Sequence, residues 1–248
     1  IRRILMKEKI YTIPINDAFD KNCECAVCAF MREEEKKLVE YTVGASMMEP
    51  DVREVTNKKG FCKKHFNDIF NTPNKLSCAL VTQTHMEEII KNLKLGSEKI
   101  EKSEKGFFKK KDGFDTALSS ETADIEKLNS SCAVCDRLDD ILDKFLQNLI
   151  YLYETEPEFK RKFLNSKGFC LPHFEKLLTS ASKHLKGAKK EEFAHEIYKI
   201  EIAHLERNLG DLKNFIKKFD HRYITTEFEN SRDALSRSAQ KISGYFDE

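Results

Sequence analysis

The sequence carries Cys25-Ala26-Val27-Cys28 and, after a gap, Gly60-Phe61-Cys62-Lys63-Lys64-His65-Phe66. The same pattern returns as Cys132-Ala133-Val134-Cys135 and Gly168-Phe169-Cys170-Leu171-Pro172-His173-Phe174. Each copy reads C-x2-C followed by G-F-C-x2-H-F, and the first cysteines lie 107 positions apart, at 25 and 132. The spacer between the second and third cysteines is 34 positions in one copy (28 to 62) and 35 in the other (135 to 170). This matched repeat indicates an internal duplication.

Each copy offers three thiols and one imidazole, which is the composition of a closed tetrahedral zinc site. Residues three apart on a helix share one face, so each C-x2-C or C-x2-H pair can chelate one ion. We therefore expect two zinc ions, each held by the two pairs of one copy. The predicted ligands are Cys25, Cys28, Cys62 and His65 for one ion and Cys132, Cys135, Cys170 and His173 for the other.

Other uses of these thiols stay open. An iron–sulfur cluster with one histidine ligand is the main alternative, because soft thiolate donors also bind iron. A thiol redox role for the C-x2-C pairs requires a strand–helix–strand unit, which the sequence does not predict. Metal or metalloid handling, in which thiolate-rich sites take up and release ions, is a third alternative.

Two more histidines and two more cysteines need an interpretation. His85 and His204 fall at corresponding places on two predicted long helices when the second helix is shifted back by 119 positions. Each is a candidate to donate a hydrogen bond toward a ligand sulfur, and the alternative is a half-buried histidine bonded to some other neighbour. Cys23 and Cys78 have no cysteine counterpart in the second copy and are interpreted as ordinary thiols.

The apolar pattern predicts helices and no strands. We expect an all-α fold, a duplicated helical bundle with two pseudo-equivalent halves and a Cys/Cys/Cys/His site in each. Pro50 and Pro157 suit first helical turns, and Gly60 and Gly168 allow sharp turns into the next helix. The predicted segments are a first metal-binding repeat at 6–95, a charged connector at 96–131, a second metal-binding repeat at 132–220 and a C-terminal helix at 221–248.

Three helices have a clear apolar periodicity. Steps of four and three relate the apolar residues of two long helices, one from 75 to 95 and one around 198 to 219, and a broad apolar face follows the second C-x2-C. The three sets are Ala79, Gln83, Met86, Ile90 and Leu93; Tyr198, Ile202, Leu205, Leu209, Leu212, Ile216 and Phe219; and Leu138, Ile141, Leu142, Phe145, Leu146 and Leu149.

Composition limits the classes of partner and compartment. The chain has 43 basic and 42 acidic side chains, so no global field steers it to nucleic acid. No stretch approaches the roughly 20 apolar residues that span a bilayer, and no secretory signal is recognisable. Thiolate ligands also require a reducing environment, so we expect a cytoplasmic protein without membrane contact.

The double motif, together with an opening segment Tyr11-Thr12-Ile13-Pro14-Ile15-Asn16-Asp17-Ala18-Phe19, resembles an uncharacterised family of bacterial cytoplasmic proteins from anaerobic Gram-positive organisms. The similarity extends over nearly everything from Met6 onward. The resemblance implies no established activity, so the functional prediction depends on the residues.

The sequence therefore favours a non-enzymatic helical protein. Four protein ligands in each site leave no coordination position for a substrate or water. We expect the two zinc sites to stabilise the bundle and to support interactions with a protein partner. A metalloenzyme or redox protein is the competing class.

Overall fold

The computed structural model describes residues 12–105, 113–220, 222 and 231–245, and every regular element in these ranges is a helix. The expected all-α fold is therefore confirmed for the described residues. The helices are α1 (12–20), α2 (Ala26–Thr42), a short 3-10 helix (Ala45–Met48), α3 (Pro50–Lys59), α4 (Lys63–Asn71), α5 (Lys75–Lys105), α6 (Gly113–Asn129), α7 (Ala133–Thr155), α8 (Pro157–Leu164), α9 (Leu171–His184), α10 (Ala188–Lys217) and α11 (Ala234–Ser243).

Proline and glycine mark helix boundaries where the sequence predicts them. Pro50 and Pro157 occupy the first turns of α3 and α8, where a missing backbone N–H costs nothing. Gly60 ends α3 with a φ of 59°. The helix starts predicted at Pro50 and Pro157 and the turn predicted at Gly60 are therefore confirmed.

The segment expected to be a charged connector is largely helical in its described part. Helix α5 continues to Lys105, well beyond the predicted end at residue 95, and α6 covers Gly113–Asn129. These two helices pack against each other, although no residue of α6 is buried. The high charge of this segment reflects solvated helix faces.

The chain divides into two compact units. We call Ile1–Glu33 with Ile141–Glu248 the terminal unit, and Glu34–Asp140 the central unit. The division falls inside α2 and α7, so each of these helices contributes residues to both units. Each of the predicted repeats, 6–95 and 132–220, likewise contributes residues to both units. The sequence pattern instead predicted that each repeat forms one half of the molecule.

Aromatic side chains fill much of the core of the terminal unit. Phe163 lies 5.7 Å from both Phe169 and Phe193, measured between ring centroids, and Tyr153 packs edge-on against Phe193 at 4.8 Å. The predicted apolar face of α7 contributes to this core with buried Leu142, Phe145, Leu146 and Leu149. Burial of such a cluster is the main apolar contribution to the stability of this unit.

The core of the central unit is smaller and includes part of the cysteine pattern. Its buried members are Val39, Val43, Phe61, Ile69, Cys78, Val81, Cys132 and Val134. Phe61 and Phe66, which flank Cys62 and His65, pack edge-on with ring centroids 5.3 Å apart. The aromatic residues of the G-F-C-x2-H-F pattern therefore pack around the ligand pair, as expected.

The periodic stripes of α5 and α10 predicted the helices correctly, but the stripes are not the buried faces. Met86 and Ile90 on α5, and Ile202 and Leu209 on α10, are about half exposed. The buried face of each helix lies beside the stripe. It consists of Ser77, Cys78, Val81 and His85 on α5, and of Phe193, Ile197, Ile200, Glu201 and Asn208 on α10.

None of the described helices combines the length and the low polarity that a bilayer crossing requires.

Candidate metal centre

The eight predicted ligands gather in two clusters, and each cluster combines one pair from each copy of the pattern. The terminal site, in the terminal unit, consists of Cys25, Cys28, Cys170 and His173. The central site, in the central unit, consists of Cys62, His65, Cys132 and Cys135. The candidate ligand atoms of each cluster lie within 4.8 Å of one another, so each cluster could hold a metal ion. The expectation that each copy forms its own site is wrong.

The two helices that begin at the C-x2-C pairs explain this crossed pairing. Cys28 lies in the first turn of α2, which has 17 residues, and Cys135 lies in the first turn of α7, which has 23. At a rise of 1.5 Å per residue these helices are roughly 25 and 35 Å long. Each helix therefore carries the chain away from its own cysteines before the next G-F-C-x2-H-F segment begins. The sequence spacing alone does not reveal this.

In the terminal site, the Nδ1 atom of His173 faces three sulfur atoms. It lies 3.6 Å from Cys25 Sγ, 3.3 Å from Cys28 Sγ and 3.2 Å from Cys170 Sγ. The sulfur atoms of Cys28 and Cys170 are 3.5 Å apart. A tetrahedral zinc ion with Zn–S and Zn–N bonds of about 2.3 and 2.0 Å holds its donors about 3.5–3.8 Å apart, close to these distances.

The central site has nearly the same geometry. The Nδ1 atom of His65 lies 3.3 Å from the sulfur atoms of Cys62, Cys132 and Cys135. The sulfur atoms of Cys62 and Cys135 are 3.8 Å apart. The backbone N–H of Ala133 donates a hydrogen bond to the Gly60 carbonyl at 2.9 Å, which joins the segments that carry the two ligand pairs.

Both C-x2-H pairs follow a glycine with left-handed backbone geometry. Gly60 has a φ of 59° and Gly168 a φ of 78°, and a side chain at either position would also clash with a neighbour. A Cβ at Gly60 would lie 2.1 Å from His85 Nε2, and one at Gly168 would lie 2.7 Å from Glu201 Oε2. The turn leaves Cys62 and Cys170 at the residue that precedes α4 and α9.

Hydrogen bonds in each cluster stabilise a thiolate. The pKa of Cys170 is lowered to about 4 because it accepts hydrogen bonds from the Cys25 and Cys28 thiols, which outweigh its burial. Burial raises the pKa of Cys132, but the hydrogen bond from His65 and those from backbone N–H groups lower it to about 6. Each site thus provides an anionic sulfur at neutral pH, as a soft metal ion requires.

In the central site, a carboxylate fixes the ligand histidine. Glu35 on α2 accepts a hydrogen bond from His65 Nε2 at 2.9 Å and also pairs with Lys64 at 2.7 Å. The His65 hydrogen bond is the main reason that the pKa of Glu35 is lowered to about 2. With its proton on Nε2, the imidazole presents the Nδ1 lone pair to the ion. The sequence analysis missed Glu35, because it lies in a charged helical run like any solvated face.

His65 also forms a third group of candidate donors with Glu35 and Asp68. Lys64 makes ion pairs with both carboxylates, at 2.7 and 2.9 Å. We interpret this group as a salt-bridge network that supports His65, because a cation already occupies the space between the two carboxylates.

The terminal site has a different set of charged neighbours. Lys241 on α11 is fully buried and donates hydrogen bonds to the carbonyl oxygens of Lys167 and Phe169, three residues and one residue before Cys170. Glu201 on α10 accepts a hydrogen bond from the Phe169 N–H at 2.8 Å and lies 3.9 Å from the Lys241 ammonium group. Burial raises the pKa of Glu201 and lowers that of Lys241, so each depends on its polar neighbours. Neither residue carried a sequence signal, because each is isolated and unmatched in the other copy.

His85 and His204 do not make the sulfur hydrogen bonds considered for them. His85 is buried, its Nδ1 atom bonds to the Asn57 carbonyl at 2.8 Å, and its ring packs against Gly60. His204 Nδ1 accepts a hydrogen bond from Arg207 Nε at 3.2 Å. Burial lowers the pKa of His204. The alternative, a histidine bonded to some other neighbour, describes both residues in the structure.

The two remaining cysteines lie outside both clusters. Cys78 is buried in the core of the central unit, and Cys23 is half buried near the start of α2. Their interpretation as ordinary thiols agrees with these positions.

Comparison with known proteins identifies the family. A family model described as "Family of unknown function (DUF6062)" matches residues 6–248, and the chain belongs to this family. The resemblance to an uncharacterised family is thereby confirmed. Neither the curated proteins nor the solved structures that were searched gave a match.

Proposed function

We propose that this member of the DUF6062 family binds two zinc ions, one in each Cys3His site, and that these ions stabilise the helical fold. The observation that carries the proposal is the convergence of three sulfur atoms and one Nδ1 atom, twice, with all donors of each site within 4.8 Å. Because four protein donors complete a tetrahedral zinc ion, no coordination position is left for a substrate. A non-enzymatic role follows from this.

The donor spacing favours a single ion over an iron–sulfur cluster. The sulfur atoms are 3.5 Å apart between Cys28 and Cys170 and 3.8 Å apart between Cys62 and Cys135. A cluster of several iron and sulfide ions needs its thiolates farther apart than one central ion does. Among single ions, zinc suits three thiolates and one imidazole in a closed four-coordinate site.

The positions of the ligands support a stabilising role. In the terminal site an ion would join the start of α2 to the start of α9, linking Cys28 to Cys170 across 142 positions. In the central site it would join the start of α4 to the start of α7. Because an unfolded chain does not hold these donors together, metal binding energy contributes directly to folding.

The proposal extends to the environment of the protein. Three-thiolate sites require reduced cysteines, and we therefore place the protein in a reducing compartment such as the cytoplasm. We also propose that the stabilised bundle acts by binding another protein.

Metal content tests this proposal. Chain purified after expression with sufficient zinc should carry two zinc ions in native mass spectrometry and elemental analysis, and should be colourless. The Cys23→Ser variant is the matched control and should also carry two ions, because Cys23 lies outside both clusters. One ion, no ion, or iron with visible absorption would contradict the proposal.

A further inference from the structure

The two sites have identical donor types but different surroundings. Building on the proposed zinc function, we propose that they divide two tasks: the terminal site keeps its ion, whereas the central site exchanges its ion with thiol-bearing ligands. In this proposal Cys62 and Cys135 are the sulfur atoms that an incoming thiol replaces.

Burial of the sulfur atoms is the first observation. Cys25, Cys28 and Cys170 of the terminal site have exposed fractions of 0%, 2% and 0%. In the central site, Cys62 and Cys135 are only half buried. Ligand replacement at zinc proceeds through a transient five-coordinate state, so the incoming thiol must reach the ion. The shell around a metal site controls that access.

The second observation is a cover that the structure gives to the terminal site. Helix α11 packs against α9 and α10 and buries Ala234, Ser238 and Lys241. Gly244, which follows α11 with a φ of 89°, lies so close to the site that a Cβ there would be 3.9 Å from Cys170 Sγ. The Tyr245 ring contacts the Arg32 guanidinium of α2 at 4.1 Å and holds the end of this cover.

The central site lacks a comparable cover among the described residues. Helix α6 follows α5 in the chain as α11 follows α10, but α6 packs on α5 without burying any of its own residues. An ion pair between Lys99 and Glu121, at 2.8 Å, joins α6 to α5. Cys62 and Cys135 are only half buried, whereas Cys170, close to the end of α11, is fully buried.

Charge gives a third difference. A zinc ion with three thiolates and one neutral imidazole carries a net charge of −1. The fully buried Lys241 ammonium group, which also lies 3.9 Å from the Glu201 carboxylate, donates a hydrogen bond to the Phe169 carbonyl just before Cys170. It offsets part of the charge of the site where water does not screen it. Near the central site, Lys59 and Lys64 are about half exposed and are paired with Asp136 and with Glu35 and Asp68. Cations in this setting stabilise a metal–thiolate centre less.

The central site also has the anchored donors that reversible exchange requires. His65 and Cys132 are each only 2% exposed, and Glu35 holds the His65 ring in place. These two donors can retain the ion while the sulfur of an incoming thiol binds zinc and the Zn–S bond to Cys62 or Cys135 breaks. The released cysteine takes up the proton that the incoming thiol loses, so the net charge does not change. The site thus combines an anchored half with an accessible half. In the terminal site all three cysteines are buried, and the half-buried residue is His173.

Zinc release and cysteine labelling test the proposal on the intact chain. Zinc-loaded protein is mixed with reduced glutathione and a chromogenic zinc chelator. Samples taken over the same period are quenched with N-ethylmaleimide in excess over all thiols, and the labelled cysteines are mapped by peptide mass spectrometry. One equivalent of zinc should leave about tenfold or more faster than the other. Cys62 and Cys135 should be alkylated in step with the fast equivalent, before Cys25, Cys28 and Cys170.

Lys241→Met provides the matched variant, since it removes the buried charge but keeps all eight ligands. Provided that it still carries two zinc ions, its slow equivalent should leave faster and its Cys170 should be labelled earlier. Lys64→Met, which removes an exposed cation from the central site, should leave the slow equivalent unchanged.

Simultaneous loss of both ions, or release from the terminal site first, would overturn the division of tasks and leave the zinc function standing. Unchanged release and labelling in a Lys241→Met protein with two ions would also overturn it. A starting protein without two zinc ions would instead contradict the proposed function itself, before any exchange is measured.

Discussion

At the residue scale, the two candidate ligand histidines turn the same nitrogen atom, Nδ1, to the sulfur atoms, but the carboxylate partner of His65 has no acidic counterpart in the second copy. His65 donates from Nε2 to Glu35, whereas the position that corresponds to Glu35 in the second copy, 107 residues later, is the buried apolar Leu142. A carboxylate that bonds the second nitrogen of a ligand histidine fixes its ring and raises its basicity. The pKa of Glu35, lowered to about 2 by the His65 hydrogen bond, keeps this carboxylate charged at neutral pH.

Replacing Glu35 should therefore weaken only the central site. In Glu35→Ala we expect zinc affinity at the central site to fall about 10–100-fold, because the ring of His65 loses its fixed orientation. Competition with a chelator of known affinity, site by site, gives the measurement. Glu34→Gln is the matched control, since Glu34 pairs with Lys37 and contacts no ligand. Equal affinities in Glu35→Ala and Glu34→Gln would show that the hydrogen bond does not support the site.

At the element scale, the ligand pairs lie at helix starts. Cys25 and Cys28 stand at the beginning of α2, and Cys62 and Cys170 immediately precede α4 and α9. An ion in either site therefore fixes two helix starts relative to each other. The loop between the donors in the unfolded chain is long, so the ion removes a large number of unfolded conformations.

Loss of one ligand should be visible as a loss of thermal stability. Cys62→Ser and Cys170→Ser should each release one ion and lower the melting temperature by more than about 5 °C, since structural zinc contributes several kcal/mol and each kcal/mol shifts Tm by about 2–4 °C in a chain of this size. Thermal unfolding followed by circular dichroism gives the measurement, with Cys23→Ser as the control. If both variants melt at the temperature of the parent protein, the ions do not stabilise the fold.

At the scale of the whole molecule, the sequence predicted the ligands but not their partners. The C-x2-C and C-x2-H spacing identified all eight residues of the two clusters, and the helical periodicity identified α7, α10 and the first part of α5, because both are local properties of the chain. Which C-x2-C pair meets which C-x2-H pair is not a local property of the chain. The loop from Cys28 to Cys170 spans 142 positions, whereas the loop from Cys28 to Cys62 spans only 34. Closing the longer loop costs only about 1 kcal/mol more chain entropy. The stiffness of α2, which carries the chain away from Cys28, outweighs this small entropic difference.

The residues around the sites were also beyond the reach of sequence reasoning. Lys241 and Glu201 meet beside Cys170 only because α10 and α11 pack there, and their sequence separation from Cys170 carries no periodic signal. His85 and His204 show the opposite case. Their matched positions suggested a shared role at the sulfur atoms, but the hydrogen bonds of both lead to other residues, Asn57 and Arg207.

The crossed pairing is the central claim about the whole molecule, and counting ions in two double variants tests it most directly. Cys28→Ser with Cys170→Ser removes two donors from the terminal site alone, so native mass spectrometry should find one zinc ion. Cys28→Ser with Cys62→Ser removes one donor from each site, so both sites should lose tight binding and the chain should carry no retained ion. One retained ion in Cys28→Ser/Cys62→Ser and none in Cys28→Ser/Cys170→Ser would contradict the account, because each copy of the pattern would then hold its own ion.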